Sequence, residues 1–197
     1  MPRLSSASVS TVIHSSELIT VEDYLKGELH SETKHEYLGG VVYAMAGASE
    51  EHNVIAANLL GMLYSQLRGK PCQPFGSDMK VRLQTLGDTY FYYPDAMVAC
   101  DPSDSGHGWR QRPTVLFEIL SDETRRVDER EKRFAYLALP SLQAYIRIEQ
   151  SSPELIVERR IGAEWKSERI SGLDAILSLP EIGVSMPLAE LYERLRF

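Results

Sequence analysis

Apolar residues recur at helical spacing between Ser49 and Gly69, and this is the strongest periodic signal in the chain. Ser49 is a favourable N-cap, and a glycine just beyond the last apolar residue is typical of a helix end. The pattern therefore predicts a long amphipathic helix, whose apolar positions are Ile55, Leu59, Met62, Leu63 and Leu67.

Shorter signals before this helix predict one more helix and a hairpin. Thr20, followed by Asp23, resembles a capping box and indicates that the fold begins with a short helix. The segment HEYLGGVVYAMA contains two apolar runs joined by Gly39 and Gly40. A two-residue glycine loop is typical of a β-hairpin, so we expect two antiparallel strands here.

The second half of the chain alternates between strands and helices. DMKVRL, TYFYYPDAMVAC and PTVLFEIL predict three central strands, and residues 125–138 read as a helix. LQAYIRIE, ELIVERR and EWKSERI predict three further strands, and PLAELYERL predicts a closing helix. The alternation of strands and helices therefore predicts an α/β (α+β) protein.

Composition narrows the class of protein without identifying it. A chain of 197 residues is long enough for one compact domain, expected over residues 17–197, and the Ser/Thr-rich residues 1–16 suggest a flexible tail. Neither a transmembrane run nor a signal peptide is apparent, which favours a cytoplasmic protein without membrane association. Cys72 and Cys100 lack metal-ligand spacing, and we expect them to be buried, reduced thiols.

Two acidic residues stand in otherwise apolar strands. Asp95 interrupts FYYPDAMVAC, and Glu118 lies within VLFEIL. Buried carboxylates need a compensating cation, and two of them on paired strands would suit Mg²⁺, which prefers oxygen ligands. A purely structural alternative stays open, in which Asp95 ends its strand and Glu118 pairs with an arginine: Arg110, Arg112 or Arg125.

Five segments in order carry a family resemblance: HEYLGGVVYAMAGAS, EHNVI, YYPD, FEILSDET and the D-x-x-x-K-x-x-x-Y pattern of residues 128–136. Together they resemble the Uma2 group of endonucleases, within the PD-(D/E)xK restriction-endonuclease-like superfamily, over nearly the whole chain. The resemblance implies a restriction-endonuclease-like fold, with a mixed β-sheet flanked by helices. It also implies a metal-dependent phosphodiesterase that cleaves DNA with Mg²⁺ or Mn²⁺. It also implies that Glu36, Asp95 and Glu118 are catalytic metal ligands.

One position departs from the superfamily pattern. Leu120 stands where (D/E)xK requires lysine, and the resemblance implies that Lys132 supplies the catalytic ammonium from the following helix. Asp128, Lys132 and Tyr136 form one stripe of that helix, and an apolar stripe is predicted to pack it: Val127, Phe134, Leu137 and Ala138. An ordinary surface ion pair between Asp128 and Lys132 is the alternative.

Contacts to nucleic acid are expected from residues outside the acidic set: His52, Lys80, Arg82, Arg125 and Tyr136. The net charge of −7 argues against non-specific coating of nucleic acid, so any basic surface must be local. A homodimer is expected by analogy with restriction-type folds. Two other functions stay open, namely a catalytically silent binding or regulatory module and a hydrolase of small phosphorylated molecules.

Overall fold

The computed structural model describes most of the chain: residues 18–85, 87–105, 108–121 and 128–197. These residues form two compact units, the first from 18–46 with the stretch that begins at 84 and ends at 91, and the second from 47–83 and 92–197. The predicted tail over 1–16 lies outside the described residues. One domain over 17–197 stays a prediction.

The helices in chain order are α1 (Val21–Glu28), α2 (Glu50–Leu67), a π-helical turn (Asp128–Lys132), α3 (Arg133–Leu137) and α4 (Leu188–Leu191). The strands are β1 (His35–Leu38), β2 (Val41–Ala44), β3 (Gln73–Gly76), β4 (Lys80–Thr85), β5 (Asp88–Tyr92), β6 (Ala96–Ala99), β7 (Trp109–Arg110), β8 (Val115–Leu120), β9 (Ala144–Glu149), β10 (Glu154–Ile161), β11 (Glu164–Ser171), β12 (Ile176–Leu179) and β13 (Val184–Pro187). No helix among the described residues is long and apolar enough to cross a bilayer.

The first unit contains the predicted short helix and hairpin. The Oγ1 atom of Thr20 caps α1 by accepting a hydrogen bond from the Asp23 backbone N–H at 3.1 Å. Gly39 and Gly40 join β1 to β2 with φ angles of 56° and 102°, which glycine adopts without strain. β1 also pairs antiparallel with β5, and three aromatic rings with centroids 5.0, 5.4 and 6.1 Å apart pack together: Tyr24, Tyr37 and Phe91.

The second unit is built on a six-stranded sheet in the order β11-β10-β9-β8-β6-β3. β8 and β9 run parallel, whereas the other neighbouring pairs run antiparallel. A mixed sheet accompanied by helices confirms the predicted α+β class. β4 pairs with β7 in this unit, and β12 pairs with β13.

The long predicted helix covers one face of this sheet. α2 buries Ile55, Leu59, Leu63 and Leu67 as expected, while Met62 is only half-buried. Side chains of a strand alternate between faces. The helix residues share an apolar core with alternate residues of the central strands: Val115, Phe117, Ile119, Ala144, Ile146, Ile148, Leu155 and Val157. The opposite face is therefore formed by the intervening positions, and Glu118 is one of them.

The sequence prediction differs from the structure at the short strands and where a predicted strand is interrupted. TYFYYPDAMVAC forms two strands, β5 and β6, because Pro94 has no N–H to donate and restricts the residue before it. β3, β7, β12 and β13 were not predicted, and they are two to four residues long. The closing helix is limited to α4, and of the helix predicted over 125–138 the residues up to 127 lie outside the described part.

The predicted reduced state of the two cysteines is wrong, because the structure joins Cys72 and Cys100 in a disulfide. Gln73 is the antiparallel partner of Ala99, so continuing this register by one residue places the two cysteines directly opposite each other. Their separation of 28 residues in sequence gives no indication of this pairing.

Reduction of this disulfide is expected to lower the free energy of unfolding by about 3–4 kcal/mol, because the bond restricts a loop of this length in the unfolded chain. Urea unfolding with and without a phosphine reductant measures the difference. The double variant Cys72→Ser/Cys100→Ser is the control and should not respond to the reductant. Two free thiols in the intact mass of the unreduced protein would contradict the pairing.

A second prediction concerns the buried Tyr192, whose hydroxyl donates to the carbonyl oxygens of Glu149 and Glu154 at 2.9 and 2.8 Å. Burial raises the pKa of Tyr192 above its ordinary value of 10.0. The folded state thus retains this proton more strongly than the unfolded state, and the associated stability is present below about pH 10 and lost as pH rises further. The stability advantage of wild type over Tyr192→Phe should therefore shrink above pH 10 in urea titrations, whereas Tyr64→Phe, at an exposed site, should show no such trend.

Candidate active site

The two acidic positions are brought together by strand pairing. β6 and β8 are antiparallel, with Ala96 opposite Phe117, so the next positions of this register are Asp95 and Glu118. The Oδ2 atom of Asp95 accepts a hydrogen bond from the Ile119 backbone N–H at 2.7 Å. Both carboxylates therefore lie at the same level of the sheet, as the sequence predicted for paired strands.

Glu118 is almost completely buried, with 2% of its surface exposed. Its Oε1 atom accepts a hydrogen bond from the Tyr136 hydroxyl at 3.0 Å, and the Lys132 ammonium lies 3.4 Å from the same oxygen. A buried carboxylate of this kind is stable only when a cation and hydrogen-bond donors surround it. The helical segment that follows β8 supplies both.

The arginine partners considered for Glu118 have other contacts. Arg112 lies 3.1 Å from Asp101, and the guanidinium of Arg110 stacks 4.5 Å above the ring of Phe75. Arg125 lies outside the described residues. Lys132 is a cation that lies within ion-pair distance of Glu118 in the described part of the chain, and its catalytic role remains a prediction.

The packing face of α3 differs from the prediction. Lys132 and Tyr136 are buried, with 6% and 0% of their surface exposed, whereas Phe134 is 80% exposed. The proposed apolar stripe is therefore wrong for Phe134 and Ala138, which are both exposed, and Val127 is outside the described residues. The reason is electrostatic, because the buried Glu118 carboxylate attracts the polar ends of the lysine and tyrosine. The Asp128 side chain lies outside the described part, and the alternative ion pair between Asp128 and Lys132 stays a prediction.

The Tyr136 side chain is buried against the sheet. Its ring makes edge contacts with Tyr92 and Tyr145, at centroid distances of 5.7 and 5.5 Å. Such packing fixes the direction of the hydroxyl toward Glu118. Complete burial leaves Tyr136 no surface for the nucleic-acid contact that the sequence suggested, and its geometry is that of a group orienting a carboxylate.

His52 approaches Asp95 from the first turn of α2. Its Nε2 atom lies 3.2 Å from the Asp95 Oδ1 atom, while its backbone N–H donates to the Ser49 side chain at 3.1 Å. The N-cap thus sets the position of the histidine. Asp95 therefore has a polar partner at each oxygen, namely the Ile119 backbone N–H and the His52 imidazole.

The two basic residues of β4 are half-buried and lie beside aromatic rings. The Lys80 ammonium donates to the Tyr93 hydroxyl at 3.1 Å, and the Arg82 guanidinium lies 5.8 Å above the Trp109 ring. Tyr93 stands two residues before Asp95. A role of Lys80 and Arg82 in phosphate contact remains a prediction.

Glu36, the third expected acid, lies on β1 in the first unit, opposite Tyr43 of β2, and is buried to all but 9% of its surface. Within the part of the chain that the structure describes, no three side chains of His, Cys, Asp or Glu form a metal-binding group. The candidate ligands in the second unit are Asp95 and Glu118. A role of Glu36 as a ligand remains a prediction.

The donor chemistry of Asp95 and Glu118 fits Mg²⁺ or Mn²⁺. Both side chains present hard oxygen atoms, and Mg²⁺ commonly takes one or two carboxylates together with water. An ionised carboxylate has about four lone-pair sites, so the observed hydrogen bonds leave capacity for a cation. Lys132 and His52 are the groups with which such a cation would compete.

Sequence reasoning missed a second buried charged cluster on the same face of the sheet. Glu158 on β10 is 2% exposed and contacts Arg133 of α3 and Arg147 of β9. The signal was present as charged residues within apolar strands, in AYIRIE and ELIVERRI.

Comparisons with known proteins agree with this architecture. The Uma2 family, described as "Putative restriction endonuclease", matches residues 21–189. An uncharacterized protein of Synechocystis sp. is 31% identical over 181 residues, which are 91% of this chain and 94% of that protein. A second uncharacterized Synechocystis protein is 27% identical and covers 83% of this chain and 94% of its own length.

A solved structure shares the fold. It is the crystal structure of a "putative nuclease belonging to DUF820" from Anabaena variabilis, and it superposes with a TM-score of 0.69 at 18% identity. The similarity covers 88% of this chain and 97% of that one. The chain belongs to the Uma2 family of restriction-endonuclease-like proteins.

Proposed function

We propose that this protein is a metal-dependent endonuclease that hydrolyses phosphodiester bonds in DNA. The observation that supports this most directly is a pair of carboxylates at one level of the sheet, the partly buried Asp95 and the buried Glu118, with the buried Lys132 ammonium 3.4 Å from Glu118. Membership in a family described as nucleases favours a hydrolase. Asp95, Glu118, Lys132 and Glu36 are the proposed catalytic residues.

We assign each of these residues one role. Asp95 and Glu118 would hold the cation, with Glu36 as a further ligand. Bound there, Mg²⁺ or Mn²⁺ supplies Lewis-acid stabilisation of phosphate charge and a more acidic water. Lys132 stabilises the developing charge on the scissile phosphate, His52 orients Asp95, and Tyr136 orients Glu118.

Nucleic-acid binding must overcome an unfavourable overall charge. The net charge of −7 repels a polyanion at long range, so the attraction has to come from cations close to the site. Lys80 and Arg82 on β4 are suited to phosphate contacts, and Arg125 is proposed in the same role. A cytoplasmic location and a homodimer also stay predictions.

A catalytically silent binding or regulatory module is the second candidate, and one observation favours it. Lys132 already lies beside Glu118 and His52 beside Asp95, so both carboxylates have a neutralising or donating partner without any metal. Such a site satisfies the desolvation requirement through the protein alone. Catalysis and silent binding are separated by the cleavage experiment that follows.

Cleavage should depend on metal and on Asp95. Wild type incubated with labelled single- and double-stranded DNA and with RNA is expected to cut DNA in Mg²⁺ or Mn²⁺ and to stop in excess chelator. Asp95→Asn should reduce the rate by at least about 100-fold, because one metal-binding oxygen anion is lost. Gel or capillary electrophoresis of the products measures the rate.

Asp174→Asn is the matched control, since it makes the same change at an exposed aspartate of the second unit and should cut at the wild-type rate. Cleavage that persists unchanged in Asp95→Asn would contradict the proposed site. A wild type that binds DNA without cutting it under any of these conditions would support the silent module.

Lys132 is predicted to be important for stability as well as for cleavage. Lys132→Met leaves Glu118 buried without its ammonium and should lower the free energy of unfolding by about 3 kcal/mol. Adding Glu118→Gln to that variant removes the uncompensated charge and should recover part of the loss, while cleavage stays abolished in both. Urea unfolding measures the stability of both variants, and Lys166→Met at an exposed site is the control. Equal stability of Lys132→Met and wild type would contradict the prediction.

A further inference from the structure

Lys132 and its neighbour Arg133 contact two different strands of the six-stranded sheet. Lys132 lies against Glu118 of β8, whereas the Arg133 Nε atom lies 2.8 Å from each carboxylate oxygen of Glu158 on β10. The Arg133 Nη2 atom also donates to Glu158, so the contact is bidentate. Planar pairing of this type fixes orientation as well as distance.

Glu158 is itself held in place from a second direction. The Arg147 Nη2 atom on β9 lies 3.4 Å from Glu158, and Arg147 is the register partner of Glu118 on the neighbouring strand. Glu158 is 2% exposed, so it provides a fixed point inside the protein. The cluster consequently spans the three strands that carry Glu118, Arg147 and Glu158.

The helical segment that presents Lys132 needs external anchors. Within the described residues it consists of a five-residue π-helical turn followed by the five-residue α3, and Lys132 at their junction makes no side-chain capping hydrogen bond. Ten residues are too few for a stable isolated helix. The two contacts lie on β8 and β10, which are separated by one strand and are therefore about 9–10 Å apart. Together they fix the rotation of the segment about its own axis.

We propose that Arg133 and Glu158 form a positioning pair that holds Lys132 beside Glu118. Neither residue contacts the reacting groups in this assignment, and both act through the direction of the Lys132 side chain. The hydrogen bonds from Arg133 to Glu158 also raise the pKa of the arginine, so its guanidinium keeps its charge. The catalytic meaning of this pair rests on the proposed function, whereas its effect on Lys132 can be measured without any activity.

Amine reactivity of Lys132 tests the pair. Reductive methylation of the folded protein, followed by peptide mass spectrometry, gives a rate for each lysine, and the buried Lys132 should react much more slowly than the exposed Lys166. Glu158→Gln should raise the Lys132 rate about tenfold or more, since charged hydrogen bonds of this kind are lost. The Lys166 rate should not change.

Glu168→Gln is the matched control, because this glutamate lies on β11 with a side chain 62% exposed and pairs only loosely with Arg159 at 3.7 Å. It should leave the Lys132 rate at the wild-type value. If Glu158→Gln fails to fold, Arg133→Gln decides instead, since Arg133 is partly exposed and its replacement removes the same contact. A Lys132 rate within twofold of wild type in a folded variant overturns the proposal.

DNA cleavage provides a separate readout. With an active wild type, Glu158→Gln should lower kcat with little change in KM, because substrate contacts are retained while the ammonium is misplaced. An inert wild type would refute the proposed function, and the methylation rates would still decide whether Glu158 positions Lys132. The two failures are therefore distinguishable.

Discussion

The buried carboxylate of Glu118 is the constraint on which the polar face of the sheet depends. An acidic side chain in the middle of a six-stranded sheet cannot remain ionised unless nearby groups replace its lost hydration. Lys132 and Tyr136 provide that replacement, and they do so from a segment too short to hold itself in place. The short segment therefore requires its own attachment, which Arg133 and Glu158 supply.

The two faces of the sheet are specialised for different tasks. One face packs against α2 and consists of aliphatic and aromatic side chains that provide the hydrophobic core. The other face holds glutamates and arginines in pairs, where burial strengthens electrostatic interactions and makes each partner dependent on the other. Because alternate residues of β8 serve both faces, the apolar strand can carry Glu118 without disturbing the core.

Local signals explain which parts of the fold could be predicted from sequence. Thr20, Ser49 and the glycine pair at 39 and 40 act through their immediate neighbours, and each predicted its element correctly. The disulfide and the short strands β3 and β7 depend on pairings between distant segments, which periodicity cannot reveal. Phe134 was misplaced for the related reason that a hydrophobicity pattern ranks it above Lys132, whereas a buried carboxylate reverses that order.

Under the proposed function, the buried contact between Lys132 and Glu118 also limits how the site could act on DNA. Lys132 lies against Glu118 and His52 lies against Asp95, so each carboxylate already has a side-chain partner before substrate arrives. A phosphodiester that enters beside Lys132 adds negative charge and competes with Glu118 for the ammonium. The contact between the lysine and the glutamate must then be weak enough to be shared, and its length of 3.4 Å, longer than a strong charged hydrogen bond, is consistent with such sharing. Anchoring the helix through Arg133 separates the two requirements, because the segment stays fixed while the lysine head group remains free to change partner.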